Sequence, residues 1–512
     1  MTSQDNFHKT QVIIIGAGPT GLSLAVQLLR YKIDFIIIEK NAALTNLSKA
    51  LVVQARTLEI FQELGLADKA IHEGRITTGM NLFYKGKKIA AVNINGLGEG
   101  ISPFPYALSL EQSKTEKLLA DYLTENAKTI KWGCELTGLE QNDSGVTISI
   151  KNNNGQEEKI EASYLAGCDG AGSQVRHMLG LQLKGSTEPK LFYVADVILQ
   201  SDVINRDEIY MYMIKRGFVL FFPMEGASHY RIIGVLPDAK NPDEKFEFED
   251  IKPSIQQNII TPVDIKELRW FSTYKVHSRK ADTFQQGRCF IAGDAAHIHT
   301  PAGGQGMNTG IQDAYNLAWK VAYRLKGEIN ERTLKTYDTE RAANARHLLT
   351  TTDRMFDIMS GANSFWNFVR LTFFPPLLNS VTKSKLVRKN LFPIISQTGI
   401  AYPDSYLTVK SSVGKVKAGD RMHYFVFVNG KGIFSYLTEP VFKLLFFGNG
   451  SGGKNFNEIK LTVKTYNFQE IPKTLFGDEK DFYVLLRPDN HICYVGKSIE
   501  QCTELIRKIS EQ

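Results

Sequence analysis

The feature that most constrains the fold of this chain is a glycine-rich turn between two apolar runs near the N-terminus. Residues 11–15 form the first run, the turn GAGPTG occupies residues 16–21, and a helical pattern leads to a second run at residues 35–38 that ends in Glu39. A strand, a glycine turn, a helix and a strand with a terminal acidic residue are typical of a dinucleotide-binding unit. The sequence therefore predicts a Rossmann-like α/β unit, although an ordinary βαβ turn without a ligand has the same outline.

Each glycine of this turn, and the acidic residue after the second strand, has its own expected task. Gly16 allows the tight turn, Gly18 lets a pyrophosphate sit on the helix N-terminus, and Gly21 lets the helix pack closely on the strand. Glu39 is expected to accept hydrogen bonds from a ribose, and its charge argues against a 2′-phosphate at that place.

A second glycine-rich turn, AGCDGAGSQVR, occupies residues 166–176 and again joins a strand end to a helix start. Asp169 lies within it and has two compatible interpretations. It caps the helix that follows, or it meets a second nucleotide group from the opposite side of a cleft.

A third turn follows the short apolar run at residues 289–291, which ends in Gly293-Asp294. Several small residues then let the backbone come close to a neighbour before a helix starts near Met307: Pro301, Gly303, Gly304 and Gly306. A helix N-terminus suits a ligand that carries or develops negative charge. A reduced flavin ring and a phosphate both meet that description, and a plain turn before a core helix has the same pattern.

Composition narrows the class of protein. The 512 residues are 43% hydrophobic and 22% charged, which leaves room for two or three domains. The 61 Lys and Arg are mixed with 54 Asp and Glu, so the net charge of +7 indicates mild attraction for anionic cofactors and not a nucleic-acid footprint. Five scattered cysteines without a C-x-x-C indicate neither a disulfide framework nor a zinc site, and a reducing cytoplasm fits them best. No secretory or membrane-spanning segment is expected.

Two parts of the chain have a strand-like pattern, one before the second turn and one between the second and third turns. Residues 77–94 predict a hairpin, and residues 184–279 predict an antiparallel sheet rich in aromatic side chains. One face of that sheet is a candidate wall for an aromatic or hydrophobic ligand, with Phe192, Tyr212 and Phe221 as candidate contacts, while many of its other aromatic residues belong to the core.

Helical patterns are predicted for residues 49–64, 109–125 and 331–359. Arg56 in the first of them is either a solvated helix residue or a contact to cofactor phosphates or sugar. Residues 365–391 combine aromatic side chains with a basic end. They predict either a surface-seeking amphipathic segment or helices that bridge two domains and close a pocket.

The sequence pattern changes again near residue 400, where we expect a small αβ unit to begin. We expect a flexible Gly-rich loop at residues 448–453, and strands and a final helix at residues 425–428, 460–466, 482–487, 491–495 and 498–509.

With the three turns in this order, the chain resembles the group A flavoprotein aromatic hydroxylases of the p-hydroxybenzoate hydroxylase fold. It is most similar to the phenol and polyketide hydroxylase branch that carries a C-terminal thioredoxin-like domain. The resemblance implies a discontinuous FAD-binding domain (1–76, 100–180 and 280–400), a substrate-binding antiparallel sheet (77–99 and 181–279) and a thioredoxin-like domain (401–512). Because the last unit has no C-x-x-C, thioredoxin-like redox chemistry is not implied.

The resemblance also assigns cofactor and substrate contacts. The FAD contacts would be Gly16, Gly18, Pro19, Thr20, Gly21, Glu39, Lys40, Arg56, Gln112, Asp169, Gly293, Asp294, Pro301, Gly303, Gly304, Gly306, Met307 and Asn308. The substrate pocket would include Phe192, Tyr212, Phe221 and Pro301. Within the FAD set, Asp294 would hold the ribityl chain, and residues 301–308 would line the isoalloxazine ring.

The implied activity is that of a single-component monooxygenase. NADPH or NADH would reduce FAD, and O2 would form a flavin C4a-hydroperoxide that hydroxylates an aromatic, phenolic or polyketide-like substrate in a dry site. His297 and His299 are proton carriers or packing and capping residues, and no catalytic acid or base is assigned. Two alternatives stay open, an FAD-dependent reductase or dehydrogenase of a hydrophobic substrate and a non-catalytic flavin-binding protein. A monomer or a homodimer is expected.

Overall fold

Three larger sheets, two small sheets of three and two strands, and the helices between them make up the described fold, which has the predicted α/β class. The computed structural model describes residues 8–45, 48, 50–202, 204–214, 217–226, 228–236, 246–259, 263–300, 302–360, 368, 372–373, 376, 385–450 and 459–511. Most of the predicted segment at residues 365–391, the position Pro301 and residues 451–453 of the predicted loop lie outside this set. Among the described residues, no helix has the length and apolar character needed to cross a membrane.

The first sheet has eight strands and contains the predicted Rossmann-like unit. Its main path runs Gln285–Gln286, Cys289–Ile291, Glu157–Gly167, His8–Ile15, Phe35–Glu39 and Ile130–Trp132, and Val146–Asn152 and Cys134–Gln141 continue from Glu157–Gly167 as antiparallel strands. The pairings of His8–Ile15 with both of its neighbours are parallel. Ile15 is level with Ile38 and Gly167, and Gly167 is level with Ile291. Four strands therefore end at one edge, where a doubly wound sheet binds its ligand.

Three helices cover this sheet through their apolar faces: Pro19–Arg30, Gln112–Glu125 and Gly306–Leu325. The other described helices are Ala55–Glu63, Ala67–Glu73, Gln174–Met178, Phe248–Asn258, Glu331–Ser360, Lys385–Ile395, Lys473–Phe476 and Ile499–Ser510. In Gly306–Leu325 nearly every residue from Met307 to Tyr323 is buried, so this helix lies in the centre of the molecule.

The predicted helix at residues 49–64 is only partly correct. The helix begins at Ala55, and Val52–Val53 is instead a short strand that pairs with Ala107–Ser109, which also pairs with Arg75–Thr77. β-branched side chains favour the extended backbone, and the pairing supplies hydrogen bonds that a helix would otherwise provide.

The second sheet confirms the predicted antiparallel region and its hairpin. Its eight strands run His297–Ile298, Asp264–Ala281, Leu183–Gln200, His229–Leu236, Gly217–Pro223, Glu208–Ile214, Gly79–Tyr84 and Lys87–Asn93. The hairpin turns at Lys85 and Gly86, both with positive φ. The helix Phe248–Asn258 was not predicted, and it packs on what we call the outer face of this sheet. The opposite, inner face packs against Phe356 of helix Glu331–Ser360.

Residues 401–450 and 459–511 contain the small αβ unit of the expected fold class, which we call the C-terminal unit, and its bounds as a separate domain at residues 401–512 stay a prediction. Its four-stranded sheet runs Val463–Phe468, Phe442–Phe447, Phe482–Leu486 and Ile492–Gly496, and Ile499–Ser510 is its last helix. The strand predicted at residues 425–428 is wrong, because only Val426 forms an isolated bridge and Val428 is 92% exposed. The central strand is Phe442–Phe447, an apolar run that the prediction missed.

Candidate functional site

The three glycine turns meet at the edge where the parallel strands end, and we call the space between them the cofactor cleft. A methyl group on Gly16, which has φ +102°, would lie 2.4 Å from the Cys168 carbonyl oxygen, so the first and second turns touch. A methyl group on Gly293 or on Gly310 would lie 2.4 or 2.2 Å from Thr20 Oγ1, so the third turn and the central helix close on the first. Only glycine fits such approaches.

Open space remains on the side of the turns that faces the cleft. A methyl group on Gly18, Gly170 or Gly172 would meet no atom of the described chain within 4 Å. Helix Pro19–Arg30 begins at Gly18, and no described side chain caps it. Backbone N–H groups at an uncapped helix start, next to free space, form a cradle for a phosphate group.

Glu39 lies at the end of its strand beside the first turn, where it was predicted. Its Oε2 accepts a hydrogen bond of 2.8 Å from the Ala17 N–H, and its Oε1 accepts two from Asn41. The neighbouring Lys40 is exposed. Glu39 thus fixes the shape of the turn, and its contact with a ribose stays a prediction.

Asp169 caps the short helix of the second turn. Its two carboxylate oxygens accept hydrogen bonds from Ser173 Oγ at 2.5 Å and from the Val175 N–H at 3.1 Å. Arg176 in that helix donates to the Ala295 carbonyl oxygen at 3.1 Å, which ties the second turn to the third. The capping interpretation is confirmed, and a nucleotide contact of Asp169 stays a prediction.

The third turn presents Asp294 to the cleft and is held from beneath by Asp313. The Asp294 side chain is exposed and has no hydrogen bond or ion pair with the described residues. Asp313, fully buried, accepts hydrogen bonds from the Gly293 N–H at 3.0 Å, from His297 Nε2 at 2.7 Å and from Arg341 Nε at 2.6 Å. Burial opposes ionisation, but Arg341 and then His297 lower the pKa of Asp313 to about 2.

Sequence reasoning missed Asp313, although a signal was present. It is a carboxylate within a predicted helix that has a buried apolar stripe, seven residues after Gly306. A buried carboxylate requires partners, so this position predicts a polar contact near the turn.

The two histidines of the third turn are packed against neighbours, His297 being buried and His299 half-buried. His297 stacks on Phe284 at 5.7 Å and binds Asp313, and His299 Nδ1 bonds the Thr300 carbonyl oxygen at 2.8 Å. Burial, and then the neighbouring His297, lower the pKa of His299. These contacts agree with the packing interpretation. Yet His297 Nδ1 and His299 Nε2 are buried without a hydrogen-bond partner among the described residues, which fits a site that a further group completes.

The loop before the central helix is fixed by Asn308. Its side-chain amide donates to the carbonyl oxygens of Val52 and Gly304, and its oxygen accepts from the Gln54 N–H and from Thr57 Oγ1, all within 2.9 Å. Gly303 and Gly304 both have positive φ, so the loop turns as glycine allows. Gly306 starts the helix and Met307 is buried. Gln112 holds the same segment through hydrogen bonds with Ala50.

The position of Arg56 shows that one of its two predicted roles, that of a solvated helix residue, is wrong. It is 3% exposed and therefore not a solvated helix residue. Its guanidinium forms an ion pair with Glu59 at 3.0 Å, donates to the Asp489 carbonyl oxygen at 3.0 Å and lies over the Tyr315 ring. These contacts face the C-terminal unit, and a contact of Arg56 with the cofactor stays a prediction.

The predicted substrate residues do not share one wall. Tyr212 and Phe221 lie on the outer face, in the apolar cluster under helix Phe248–Asn258, whereas Phe192 lies on the inner face against Tyr274 and Phe356. Successive side chains of a strand point to opposite faces of the sheet, so only every second residue of a strand lies on the same face. This corrects the expectation that the three line one pocket.

The inner face carries a polar pair that sequence reasoning did not single out. Arg231 binds the carboxylate of Asp196 through two hydrogen bonds of 2.6 and 2.7 Å and lies 5.4 Å from the Trp270 ring centre. A cavity of about 390 Å³ opens beside Asp196 and Trp270. The inner face therefore combines aromatic area with a few fixed polar groups, as small-molecule sites do.

Comparison with known proteins agrees with this geometry. A family model described as "FAD binding domain" matches residues 9–352. The 6-methylpretetramide 4-monooxygenase of Streptomyces rimosus is 31% identical over 493 residues, 94% of this chain and 86% of the relative. Pentachlorophenol 4-monooxygenase of Sphingobium chlorophenolicum is 31% identical over 68% of this chain and 65% of its own length. The solved structure of OxyS anhydrotetracycline hydroxylase from Streptomyces rimosus is 27% identical with a TM-score of 0.79, over 98% of this chain and 99% of that one.

The chain belongs to this FAD-binding family. Its class is that of the FAD-dependent monooxygenases, as the resemblance implied, and the alternatives of a reductase and of a silent flavin-binding protein are not favoured. The cradle at Gly18, the exposed Asp294 and the orphaned histidine nitrogens fit FAD as the group that completes the cleft.

Proposed function

We propose that this enzyme uses NADPH or NADH and O2 to hydroxylate an aromatic, phenolic or polyketide-like compound that binds between FAD and the inner face of the second sheet. The observation that carries the proposal is the meeting of three glycine turns around an open cleft, where the exposed carboxylate of Asp294 has no ion pair with any described residue. The relatives named for pretetramide and pentachlorophenol substrates support an aromatic substrate class.

FAD would lie along the turns in the order in which they meet. The turn at residues 16–21 and its helix start would hold the pyrophosphate, and Glu39 the adenosine ribose. Asp294 would hold the ribityl chain, and Asp169 would lie across the cleft. The glycines at 303, 304 and 306 would let the ring approach the start of helix Gly306–Leu325, whose partial positive charge favours a negatively charged ring.

Once bound, FAD supplies the electron transfer from the nicotinamide and the activation of O2. The task of the chain is then to place the substrate ring and to keep water away from it. The half-buried Tyr274 gives the inner face an apolar wall, and the fully buried Phe192 packs against it with their ring centres 6.0 Å apart. Burial raises the pKa of Tyr274 to about 12. The Asp196–Arg231 pair offers fixed polar groups beside Trp270 for orienting a substituted ring.

A substrate screen tests the proposed reaction. Phenols, polyketides and rifamycin-like compounds are added to the purified enzyme with NADH or NADPH, and nicotinamide oxidation, O2 uptake and product mass are measured. We expect at least one compound to stimulate both rates and to gain one oxygen atom. If nicotinamide oxidation proceeds without substrate-stimulated O2 uptake, the hydroxylase proposal fails.

A matched pair of variants tests the substrate wall. Phe192 and Phe221 are both fully buried, in the same sheet but on opposite faces. Phe192→Leu and Phe221→Leu should each cost roughly 1–1.5 kcal/mol of stability by urea unfolding. Only Phe192→Leu should raise the substrate KM or the fraction of nicotinamide oxidised without product. An equal kinetic effect of Phe221→Leu would contradict this placement of the substrate.

A further inference from the structure

The contacts of Asp313 do not end at the third turn. Arg341, which binds Asp313 Oδ1 through Nε, also donates to Tyr402 Oη at 2.8 Å and to the Thr309 carbonyl oxygen at 3.3 Å. Arg341 is 1% exposed and Asp313 is fully buried, so water does not replace any of these partners. The third turn is thus joined to Tyr402 through two buried charged groups.

Tyr402 is part of the C-terminal unit by its contacts. Its N–H donates to the Gly419 carbonyl oxygen at 2.9 Å, its ring lies 4.7 Å from the His491 ring, and the Arg487 guanidinium lies over it at 5.1 Å. The position of the Tyr402 hydroxyl is therefore set by the loop between the last two strands, which carries residues 487–491.

The residue before Arg341 strengthens the same link. Glu340 accepts two hydrogen bonds from Arg487, one from Lys320 Nζ at 2.8 Å and one from Ser405 Oγ at 2.6 Å. The adjacent residues Glu340 and Arg341 of one helix therefore both bind the C-terminal unit, and Arg341 also reaches the turn under Asp294. Charge-assisted bonds of this kind are directional, so they fix orientation as well as distance.

We propose that the C-terminal unit is a positioning element for the cofactor, because Tyr402, Arg341 and Asp313 form a relay that holds the Gly293–Asp294 turn in its FAD-binding position. Arg341 is oriented by three acceptors, and loss of the Tyr402 hydroxyl leaves one buried N–H without a partner. The guanidinium then tilts, Asp313 follows it, and the Gly293 N–H loses its fixed acceptor. This relay rests on the proposed contact of Asp294 with FAD.

The test compares two identical substitutions in the C-terminal unit. Tyr402→Phe removes the hydroxyl that accepts from Arg341, and Tyr406→Phe removes a hydroxyl that donates to the Lys508 carbonyl oxygen. FAD affinity is measured by fluorescence titration of the apoprotein, and backbone hydrogen exchange is followed in the peptide that covers residues 289–297. We expect Tyr402→Phe to weaken FAD binding about fivefold and to speed exchange in that peptide. Tyr406→Phe should leave both quantities at their wild-type values.

Wild-type FAD affinity and exchange in folded Tyr402→Phe would overturn the relay, since a purely structural tyrosine would change only the unfolding transition. If Tyr402→Phe does not fold, Arg341→Lys provides the same comparison, because an ammonium group cannot reach Asp313 and Tyr402 in the geometry of the guanidinium. Asp294→Asn separates the two proposals. Unchanged FAD affinity in Asp294→Asn overturns the placement of the cofactor, whereas weaker binding there with wild-type behaviour in Tyr402→Phe overturns the relay alone.

Discussion

Two regions of this molecule gather charged and polar groups: the cofactor cleft and the surface on which the C-terminal unit docks. In the cleft, Asp294 is exposed and has no hydrogen bond or ion pair with the part of the chain that the structure describes. No described side chain caps helix Pro19–Arg30, and a methyl group on Gly18 would meet no described atom within 4 Å. At the docking surface, Arg487 and Asp489 are 1% exposed and bind each other and several neighbours. The cleft leaves polar groups beside open space, whereas at the docking surface the ion pairs are completed by the chain itself, although the His491 ring nitrogens have no hydrogen-bond partner among the described residues.

This difference gives a criterion that distinguishes a binding site from a structural charge network. Both regions contain perturbed groups, so unusual pKa values alone do not distinguish them. Asp489 accepts from Arg487 and from Trp319 Nε1, and Arg487, the largest favourable influence against burial, keeps the pKa of Asp489 well below its usual range. Unused donors and acceptors next to open space are what mark the cleft.

The largest effect should come from breaking the docking surface. Asp489→Ala removes one of the carboxylates that pair with the buried guanidinium of Arg487. Removing one partner of a buried ion pair lowers the free energy of unfolding by about 3–5 kcal/mol. We expect urea unfolding to show a loss of that size. Asp404→Ala is the matched control, because the Asp404–Lys410 pair is exposed, and it should leave the unfolding transition unchanged. Equal stability of the two variants would contradict the comparison.

Acid should weaken the buried network in a defined pH range. The pKa of Glu340 is lowered to about 2, against burial, by Arg487 and then Lys320, and that of Asp313 is also about 2. Since the unfolded values are near 4, this stability is present above about pH 4 and is lost as the pH falls toward 2.

The expected loss is on the order of 2 kcal/mol for each carboxylate. Urea unfolding at a series of pH values measures it, and Glu340→Gln should show a shallower decline between pH 4 and 2 than the wild type. Parallel declines in the two proteins would show that Glu340 does not contribute to the acid sensitivity.

The smallest expected effect sharpens the description of the cleft. A methyl group on Gly18 meets open space, so Gly18→Ala should leave the thermal unfolding of the apoprotein unchanged while weakening FAD binding about tenfold, or 1.4 kcal/mol. Gly16→Ala is the contrasting variant, because its side chain would meet the Cys168 carbonyl oxygen at 2.4 Å with φ at +102°. That variant should lower both apoprotein stability and FAD affinity, and wild-type affinity in Gly18→Ala would contradict the proposed cradle.

Local sequence patterns predicted the features that depend on local physics. The strand, turn and helix around residues 11–30 follow from apolar runs and glycine spacing, and the hairpin turn at Lys85 and Gly86 follows from turn chemistry. Helix Phe248–Asn258 was missed because it is short and contains Pro253, which occupies its second turn.

The remaining features depend on contacts between distant parts of the chain. The alternation of side chains along a strand predicts which residues share a face of the sheet. It does not predict which face a helix covers, and for this reason Tyr212 was assigned to the same pocket as Phe192 although it lies on the outer face. Arg341 lies 28 residues after Asp313, and Tyr402 lies 61 residues after Arg341. No local sequence pattern predicts hydrogen bonds between residues so far apart.

The buried ion pairs of Arg487 with Glu340 and Asp489 limit the motion of the C-terminal unit during turnover. Rotation of this unit would leave three buried charged groups without their partners, so we expect the unit to stay in place. Substrate and product must then pass without any movement of this unit.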